Sequence, residues 1–177
     1  NPHNRKNLND FSVLRNRAIT DVFEPGSPIK AFTVTAALES GLYTPNTVIE
    51  TSPGWMMVNG NEVQDIINYG TLDLTRVITK SSNIGATKIA FEIGPGAIRN
   101  VLERVGLGQM SGTGFPGEQG GVLPSHRRWS RIETATFSFG YGLSTTALQL
   151  AQAYSVIADG GIRKPVSLLK LDEVSLQ

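Results

Sequence analysis

Residues 24–30 read Glu-Pro-Gly-Ser-Pro-Ile-Lys, and this stretch decides how the rest of the chain is interpreted. The first proline and the glycine interrupt any preceding element. The second proline suits the first turn of a helix, where its missing N–H group costs nothing. The sequence therefore predicts a helix that starts at Ser27, continues through the apolar residues 31–38 and stops at Gly41.

Ser27 and Lys30 lie three residues apart in this predicted helix, so their side chains share one face and can touch. A serine hydroxyl is a weak nucleophile at neutral pH and needs an adjacent base, which Lys30 can provide. The alternative is a helix-capping serine followed by a solvated lysine, which is the commoner arrangement. The same Ser-x-x-Lys spacing recurs at Ser167 and Lys170, where no other residue suggests catalysis, so spacing alone does not decide between the two.

A second polar stretch, residues 79–85, reads Thr-Lys-Ser-Ser-Asn-Ile-Gly and holds the only Ser-x-Asn triplet in the chain. It lies between two predicted helices, at a junction that can aim polar side chains inward. The Ser81 hydroxyl can relay a proton to a leaving amine, and the Asn83 amide can orient both a lysine and a substrate carbonyl. An ordinary helix-capping turn is the alternative interpretation.

The Ser-x-x-Lys and Ser-x-Asn motifs, in this order, are the first two of the three signature elements of penicillin-binding proteins and serine β-lactamases. The chain resembles the transpeptidase domain of a class B penicillin-binding protein of the division type, the septal peptidoglycan D,D-transpeptidase. The resemblance extends over nearly the whole chain. It includes residues 15–21 (Arg-Asn-Arg-Ala-Ile-Thr-Asp), 105–108 (Val-Gly-Leu-Gly), 114–118 (Gly-Phe-Pro-Gly-Glu) and 135–143 (Ala-Thr-Phe-Ser-Phe-Gly-Tyr-Gly-Leu), the last being the most distinctive of the family.

The resemblance implies a role for each polar residue singled out above. Ser27 would attack the penultimate D-alanine carbonyl of a peptidoglycan stem peptide, expel the terminal D-alanine and pass the acyl group to an amine on a neighbouring stem. Lys30 would take the Ser27 proton, Ser81 would shuttle it toward the leaving amine, and Asn83 would hold Lys30 and the substrate amide. Tyr141 would border the substrate cleft, although simple packing also explains an aromatic residue there.

Ligands, partners and location also follow from the resemblance. β-Lactam antibiotics would mimic the D-alanyl-D-alanine end and leave a long-lived acyl-serine. Membrane proteins of the division complex would be partners, and the protein would lie at the periplasmic face of the bacterial inner membrane, with its membrane anchor outside this chain. No metal or organic cofactor is implied.

The resemblance implies an α+β fold, of which this chain would be the helix-rich part, with most of the central antiparallel sheet outside it. We expect the apolar residues 32–38 to cover that sheet. The third signature element, Lys-Thr-Gly or Lys-Ser-Gly, occurs nowhere in the 177 residues. A second departure is Pro28, where many relatives carry threonine. We therefore expect residues 1–177 to be a single partial transpeptidase domain, truncated at both ends and catalytically deficient on its own.

Two other functions remain open. A serine β-lactamase shares both motifs but needs a residue that activates water, and Glu118, the residue to consider, lies in a Gly/Pro-rich stretch typical of a surface turn. A non-catalytic penicillin-sensing receptor domain would be acylated without transferring the acyl group. Hydrolysis of a β-lactam would indicate the first, and stable acylation without stem-peptide exchange would indicate the second.

The composition narrows the chemistry further. With 16 Lys and Arg against 15 Asp and Glu, the net charge of +1 argues against a nucleic-acid or anionic-membrane surface. The absence of cysteine excludes a thiolate nucleophile, and the two histidines, His3 and His126, are too few and too scattered for a histidine-based triad or a zinc cluster. No apolar run approaches the roughly 18 residues of a membrane span. Serine chemistry here would have to use lysine.

The remaining pattern predicts one domain without internal repeats. Its further elements are a hairpin within residues 48–68 that turns at Asn59-Gly60, helices at 72–79 (capped by Thr71), 84–93, 97–105 and 150–158, and a long connection at 106–130. Thr146 and Gln149 form a capping box before the last of these helices.

Overall fold

The structure is a computed structural model that describes residues 15–125, 127 and 129–170. His3 and His126 lie outside these ranges. In chain order the described residues form α1 (Arg17–Thr20), α2 (Lys30–Glu39), β1 (Val48–Glu50), β2 (Trp55–Val58), β3 (Asn61–Gln64), β4 (Thr71–Asp73), α3 (Leu74–Thr79), α4 (Asn83–Ile93), α5 (Pro95–Arg104), α6 (Arg131–Ser138) and α7 (Ala147–Ala158). A 3-10 turn at Ser27–Ile29 leads directly into α2.

Two small antiparallel strand pairs make up the sheet structure of the described residues. Strand β1 pairs with β4, with Ile49 opposite Leu72, and β2 pairs with β3, with Met56 opposite Val63. Helices account for most of the remaining regular structure. This helix-rich architecture with a small partial sheet agrees with the predicted α+β class.

The β2–β3 hairpin confirms the predicted turn at Asn59-Gly60. The φ angles of these two residues are 48° and 78°, and a two-residue hairpin turn of this kind requires positive φ at both positions. The hairpin returns the chain to Asp65, whose backbone N–H donates to the carbonyl oxygen of Gly54 at 2.9 Å. Asp65 is thereby placed against the start of α4, where its carboxylate becomes important below.

Helix α2 is the central helix, and it packs against α3, α4 and α5. On one side Phe32 and Ala36 join a buried cluster that includes residues of α5 and α7. On the other side Val34 and Ala37 join a second buried cluster that includes residues of α3 and α4. The expectation that residues 32–38 cover a sheet outside the chain is therefore wrong, because the chain's own helices bury this stretch and leave only its last apolar side chain exposed.

The helix predicted at residues 72–79 is correct from Leu74 to Thr79 and wrong at its first two residues. Residues 71–73 form β4 instead, and Leu72 is buried in the pairing with β1. Asp73, and not Thr71, caps α3 by accepting a backbone N–H bond from its first turn at 2.7 Å. Burial of Leu72 between strands outweighs the helical spacing of the sequence, as tertiary contacts often do for short segments.

The other helix predictions are confirmed with small changes at their ends. Helices α4 and α5 match the predictions, and the predicted capping box of Thr146 and Gln149 is present, although α7 begins at Ala147 and not at residue 150. Helix α6 was not predicted, even though Ser130 and Glu133 form a second capping box at its start. None of the helices in the described part of the chain is long and apolar enough to cross a membrane.

Candidate active site

The predicted nucleophile, Ser27, is the first residue of the 3-10 turn that leads into α2. The turn is held from behind by Gly140, whose carbonyl oxygen accepts a hydrogen bond from the Gly26 backbone N–H at 3.0 Å. A Cβ atom on Gly140 would lie 2.0 Å from the Gly26 carbonyl oxygen, and the φ of Gly140 is 95°. Only glycine fits such a position, which gives a physical reason for the first glycine of the Phe-Gly-Tyr-Gly sequence.

Lys30 is the first residue of α2, three residues after Ser27, and is buried, with 2% of its surface exposed. Its Nζ atom is 3.0 Å from Ser27 Oγ, 2.9 Å from Ser81 Oγ and 2.7 Å from the Ser81 carbonyl oxygen. Ser81 Oγ is in turn 3.0 Å from Ser27 Oγ. The three side chains therefore form a closed triangle of hydrogen bonds that joins the two sequence motifs.

Burial lowers the pKa of Lys30 to about 8, and the negative charge of Asp65 acts in the opposite direction. Burial disfavours the charged ammonium because it is removed from water, whereas a nearby carboxylate favours it. With a pKa near 8, about a tenth of the lysine is neutral at pH 7, and only the neutral amine can accept a proton. The ring of Phe139 also lies near the amine, with its centroid 5.9 Å from Lys30 Nζ.

Ser81 adopts a left-handed backbone conformation, with a φ of 56°. This region is uncommon for residues other than glycine and is often found at functional sites. In this conformation both the hydroxyl and the carbonyl of Ser81 reach Lys30. The turn that precedes α4 is therefore more than a helix cap, because the cap itself is provided by the next residue, Ser82, which accepts from the Gly85 N–H at 2.8 Å.

Asn83 is the first residue of α4 and does not make the predicted contact with Lys30 among the hydrogen bonds of the described residues. Its Nδ2 atom donates to the Gln64 carbonyl oxygen at 2.9 Å. Asn83 and Ser81 line the same open pocket of ≈ 330 Å³, together with residues 64–66. The structure thus brings Ser27, Lys30 and Ser81 into contact, and places Asn83 at the edge of the adjoining pocket.

Tyr141 is 48% exposed and follows the glycine that holds the Ser27 turn. Its ring packs edge-on against Phe139, with centroids 5.9 Å apart. It lines a smaller pocket of ≈ 140 Å³ and not the pocket beside Ser81. Tyr141 therefore reaches the triangle through Phe139 and makes no hydrogen bond to it among the described residues.

Two acidic residues outside the motifs have clear structural roles. The Glu24 carboxylate accepts from the Gly142 backbone N–H at 2.9 Å and so ties the Ser27 turn to the segment that follows α6. The Glu118 carboxylate accepts from the N–H groups of residues 112 and 113 and from the Thr113 hydroxyl, so that it braces its own loop. Glu118 makes no described contact with the triangle. Among the described residues, no group of three or more acidic or histidine side chains could hold a metal ion.

Asp65 is the residue of this site that the sequence interpretation missed. It is 9% exposed, and its carboxylate accepts hydrogen bonds from the Ser82 hydroxyl and from the backbone N–H groups of Asn83 and Ile84. No motif marks an aspartate at the exit of a hairpin. The signal available was a lone acidic residue next to a predicted turn, which is too common to indicate a site.

Comparison with known proteins identifies the family. The family described as "Penicillin binding protein transpeptidase domain" matches residues 1–175. A probable peptidoglycan D,D-transpeptidase, PbpC, of Pseudomonas aeruginosa is 47% identical over 170 residues, which is 96% of this chain and 30% of that protein. The peptidoglycan D,D-transpeptidase FtsI of Escherichia coli K12 is 46% identical over 160 residues, which is 90% of this chain and 27% of that protein.

Solved structures share the fold. A crystal structure of a peptidoglycan glycosyltransferase from Burkholderia ambifaria superposes with a TM-score of 0.87 at 48% identity, covering 92% of this chain and 52% of that one. The apo structure of the TP domain of Burkholderia pseudomallei penicillin-binding protein 3 gives a TM-score of 0.86 at 48% identity, covering 92% and 49%. The chain therefore spans less than a third of these two curated relatives and about half of these solved chains.

Proposed function

This chain belongs to the penicillin-binding protein transpeptidase domain family, and from that membership we propose that it carries the acylation site of a peptidoglycan D,D-transpeptidase. The observation that carries the proposal is the hydrogen-bonded triangle of Ser27, Lys30 and Ser81. The substrate would be the D-alanyl-D-alanine end of a stem peptide, and β-lactams would acylate the same serine. The matched relatives that are named as D,D-transpeptidases support this substrate class.

The bonding of Lys30 suits it to act as the base. A neutral amine has two N–H donors and one lone pair, and a carbonyl oxygen can only accept. The Ser81 carbonyl therefore takes one N–H, and Ser81 Oγ is placed to take the other. The lone pair is then left for the proton of Ser27, 3.0 Å away. The Ser81 carbonyl thus fixes the orientation of the base.

The reaction has two halves that mirror each other. In the first, Lys30 takes the Ser27 proton while Oγ bonds to the penultimate D-alanine carbonyl carbon. The bond to the terminal D-alanine then breaks, and the proton leaves on its amine by way of Ser81. In the second, an amine of a neighbouring stem attacks the acyl-serine, the bond to Oγ breaks, and one proton of that amine returns to Ser27. Asn83 would contact the substrate amide from the edge of the pocket.

We propose that residues 1–177 are one part of a larger transpeptidase domain. The Ser27 backbone N–H would supply one donor to the oxyanion, and the second donor and the third signature element would come from strands that are not in this sequence. The share of the matched chains that this sequence spans, about half, supports this proposal.

The cellular role that the similarity supports is cross-linking during septal cell-wall synthesis. The similarity to FtsI of E. coli carries this part of the proposal. The protein would act at the periplasmic face of the inner membrane, anchored by a segment outside this chain, with membrane proteins of the division complex as partners.

The test is to map the site of acylation in the complete protein. Labelled penicillin is expected on Ser27 and nowhere else, and Ser27→Ala should abolish the labelling. Ser167→Ala is the matched control, because Ser167 has the same spacing to a lysine and should have no effect. An adduct on Ser81, or undiminished labelling of Ser27→Ala, would contradict the proposal. Rapid hydrolysis of the acyl-serine would favour a β-lactamase, and stable acylation without exchange of stem peptides would favour a penicillin receptor.

A further inference from the structure

Asp65, which follows the β2–β3 hairpin, accepts hydrogen bonds from three consecutive residues at the start of α4. Both oxygens of the Asp65 carboxylate are used, one by the Ser82 hydroxyl at 2.6 Å and the other by the N–H groups of Asn83 at 2.6 Å and Ile84 at 3.1 Å. The neighbouring Gln64 carbonyl oxygen accepts from the Asn83 side chain. Gln64 and Asp65 therefore bind the side chains of Ser82 and Asn83 and the backbone N–H groups of Asn83 and Ile84.

Ser81 immediately precedes these three residues, and it supplies two of the three acceptors around the Lys30 amine. Ser81 holds a left-handed conformation that costs free energy in isolation, so its neighbours must keep it in place. Its hydrogen bond from N–H to the Ile78 carbonyl oxygen ties it to α3 on the other side. Without the hydrogen bonds to Asp65, Ser81 would be free to leave its left-handed conformation, and its carbonyl and hydroxyl would then move away from Lys30.

We propose that Asp65 is a positioning residue for acylation, which holds the Ser81–Asn83 turn so that the Ser81 carbonyl and hydroxyl orient the amine of Lys30. The proposal rests on the proposed function, because it assigns Asp65 a part in the acylation of Ser27. Asp65 touches neither Ser27 nor Lys30 through a described hydrogen bond. It acts through the turn and through its charge.

The negative charge of Asp65 makes the positioning role distinguishable by experiment from a purely structural role, because that charge acts on the pKa of Lys30. Among the described residues, Asp65 is the one charged group whose field acts on the Lys30 pKa, and it raises that pKa. The other neighbours of the Nζ atom are the hydroxyls of Ser27 and Ser81 and the ring of Phe139, which are uncharged. Removing the negative charge should therefore lower the pKa of Lys30 and shift the pH at which the base becomes active to lower values.

The experiment is to measure acylation of the complete protein by a labelled β-lactam, separating initial binding from the acylation rate over a range of pH. For Asp65→Asn we expect the maximal acylation rate to fall roughly 10- to 100-fold, since misplacing a catalytic group by about 1 Å can cost 10²-fold. Initial binding should change by less than about threefold, because the turn contributes more to the reaction than to holding the ligand. The rising limb of the pH profile should move to lower pH.

Two further variants make the result interpretable. Asp73→Asn makes the same carboxylate-to-amide change at the residue that caps α3, the helix on the other side of the turn, and should leave both the acylation rate and the rising limb of the pH profile unchanged. Ser82→Ala removes one of the three Asp65 contacts, together with the Ser82 cap on the Gly85 N–H, but keeps the Asp65 charge, so the acylation rate should fall while the rising limb of the pH profile stays in place. If Asp65→Asn does not fold, the acylation rate of Ser82→Ala provides the test of the positioning role.

Equal acylation rates and pH profiles for the parent protein and Asp65→Asn would overturn the positioning role while leaving Ser27 as nucleophile. The role is also overturned if Asp73→Asn loses as much activity as Asp65→Asn, or if Ser82→Ala acylates normally. Failure of the proposed function looks different, because the parent protein would then not be acylated on Ser27 at all.

Discussion

Lys30 shows how burial changes the protonation of a single side chain. Removing an ammonium from water is unfavourable, and the structure compensates only in part, with three acceptors and the more distant charge of Asp65. The desolvation cost that remains uncompensated lowers the pKa of Lys30, so that a fraction of the amine is neutral at physiological pH. The same burial that makes the charged lysine costly therefore makes the neutral lysine available as a base.

The first prediction at this scale concerns pH. Under the proposed function neutral Lys30 is the base, and its pKa is about 8, so the acylation rate should rise about tenfold per pH unit below 8 and level off above it. The sign follows from deprotonation, since raising the pH increases the neutral fraction. The measurement is the maximal acylation rate of the complete protein by a labelled β-lactam in a series of buffers. A rate that stayed constant from about pH 6 to pH 9 would show that another group is the base.

The second prediction is that Lys30→Arg lowers the acylation rate roughly 10²- to 10⁴-fold while initial binding changes little. A guanidinium remains charged throughout the accessible pH range, so it cannot accept the Ser27 proton at any of these values. Lys80→Arg is the matched control, because Lys80 lies exposed at the end of α3, one residue before Ser81. Loss of affinity at an unchanged rate would assign Lys30 to ligand binding and not to proton transfer.

At the scale of elements, the site is built where the ends of three segments meet: the start of α2, the turn before α4, and the segment after α6. The close contact between Gly26 and Gly140 joins the first and the last of these. The Thr33 hydroxyl strengthens the same junction by donating to the Ser138 carbonyl oxygen at 2.7 Å. The turn that carries the nucleophile is therefore fixed by its neighbours as much as by its own helix.

The third prediction compares two glycines of this junction. Gly140→Ala should destabilise the protein more than Gly142→Ala and should also slow acylation. A Cβ at Gly140 would collide with the Gly26 backbone, whereas a Cβ at Gly142 meets nothing within 4 Å. Gly142→Ala carries only the strain of a positive φ, roughly 1–2 kcal/mol. Denaturant unfolding of both variants, together with their acylation rates, provides the measurement. Equal losses in the two variants would mean that the contact with Gly26 is not what selects glycine.

The elements that the sequence predicted correctly are those with local signals. The Asn59-Gly60 hairpin turn and the capping box of Thr146 and Gln149 are each indicated by no more than four consecutive residues of sequence. The pair of Ser27 and Lys30 was likewise predictable, because three residues of helix bring two side chains together. The strand at Leu72 and the part played by Asp65 were not, because both depend on partners distant in the sequence. The hydrogen bond from Asn83 Nδ2 to the Gln64 carbonyl oxygen was not predictable for the same reason.

At the scale of the whole molecule, the described helices bury most of their apolar side chains, but an apolar surface remains beside Pro28, the residue after Ser27. Phe23, Pro28 and Tyr154 line an open apolar hollow of ≈ 360 Å³ with residues from the first turns of α7. Phe23 and Tyr154 are both partly exposed. Apolar surface of this kind on an isolated chain favours association with other surfaces.

The fourth prediction is that the 177-residue chain on its own is acylated far more slowly than the complete protein, although it contains Ser27, Lys30 and Ser81. Loss of one oxyanion donor typically costs about 2.7–4 kcal/mol of transition-state stabilisation, or roughly 10²- to 10³-fold in rate. The measurement is penicillin labelling of both proteins at equal concentration, with circular dichroism to show that the helices of the short chain have formed. A folded, monomeric 177-residue chain that reacts as fast as the complete protein would contradict the proposal that segments outside residues 1–177 contribute to acylation.

The junction of three segments also bears on when Ser27, the proposed nucleophile, acquires its surroundings during synthesis. Lys30 and Ser81 are 51 positions apart, and the Glu24 carboxylate finds its partner N–H 118 positions later. Contacts between such distant positions form late in folding, because the loop that separates them must be closed first. A ribosome that releases the chain from its N-terminus exposes Ser27 long before the segment that holds its turn has been made. The serine is therefore present early, but its activation by Lys30 waits for most of the domain to emerge.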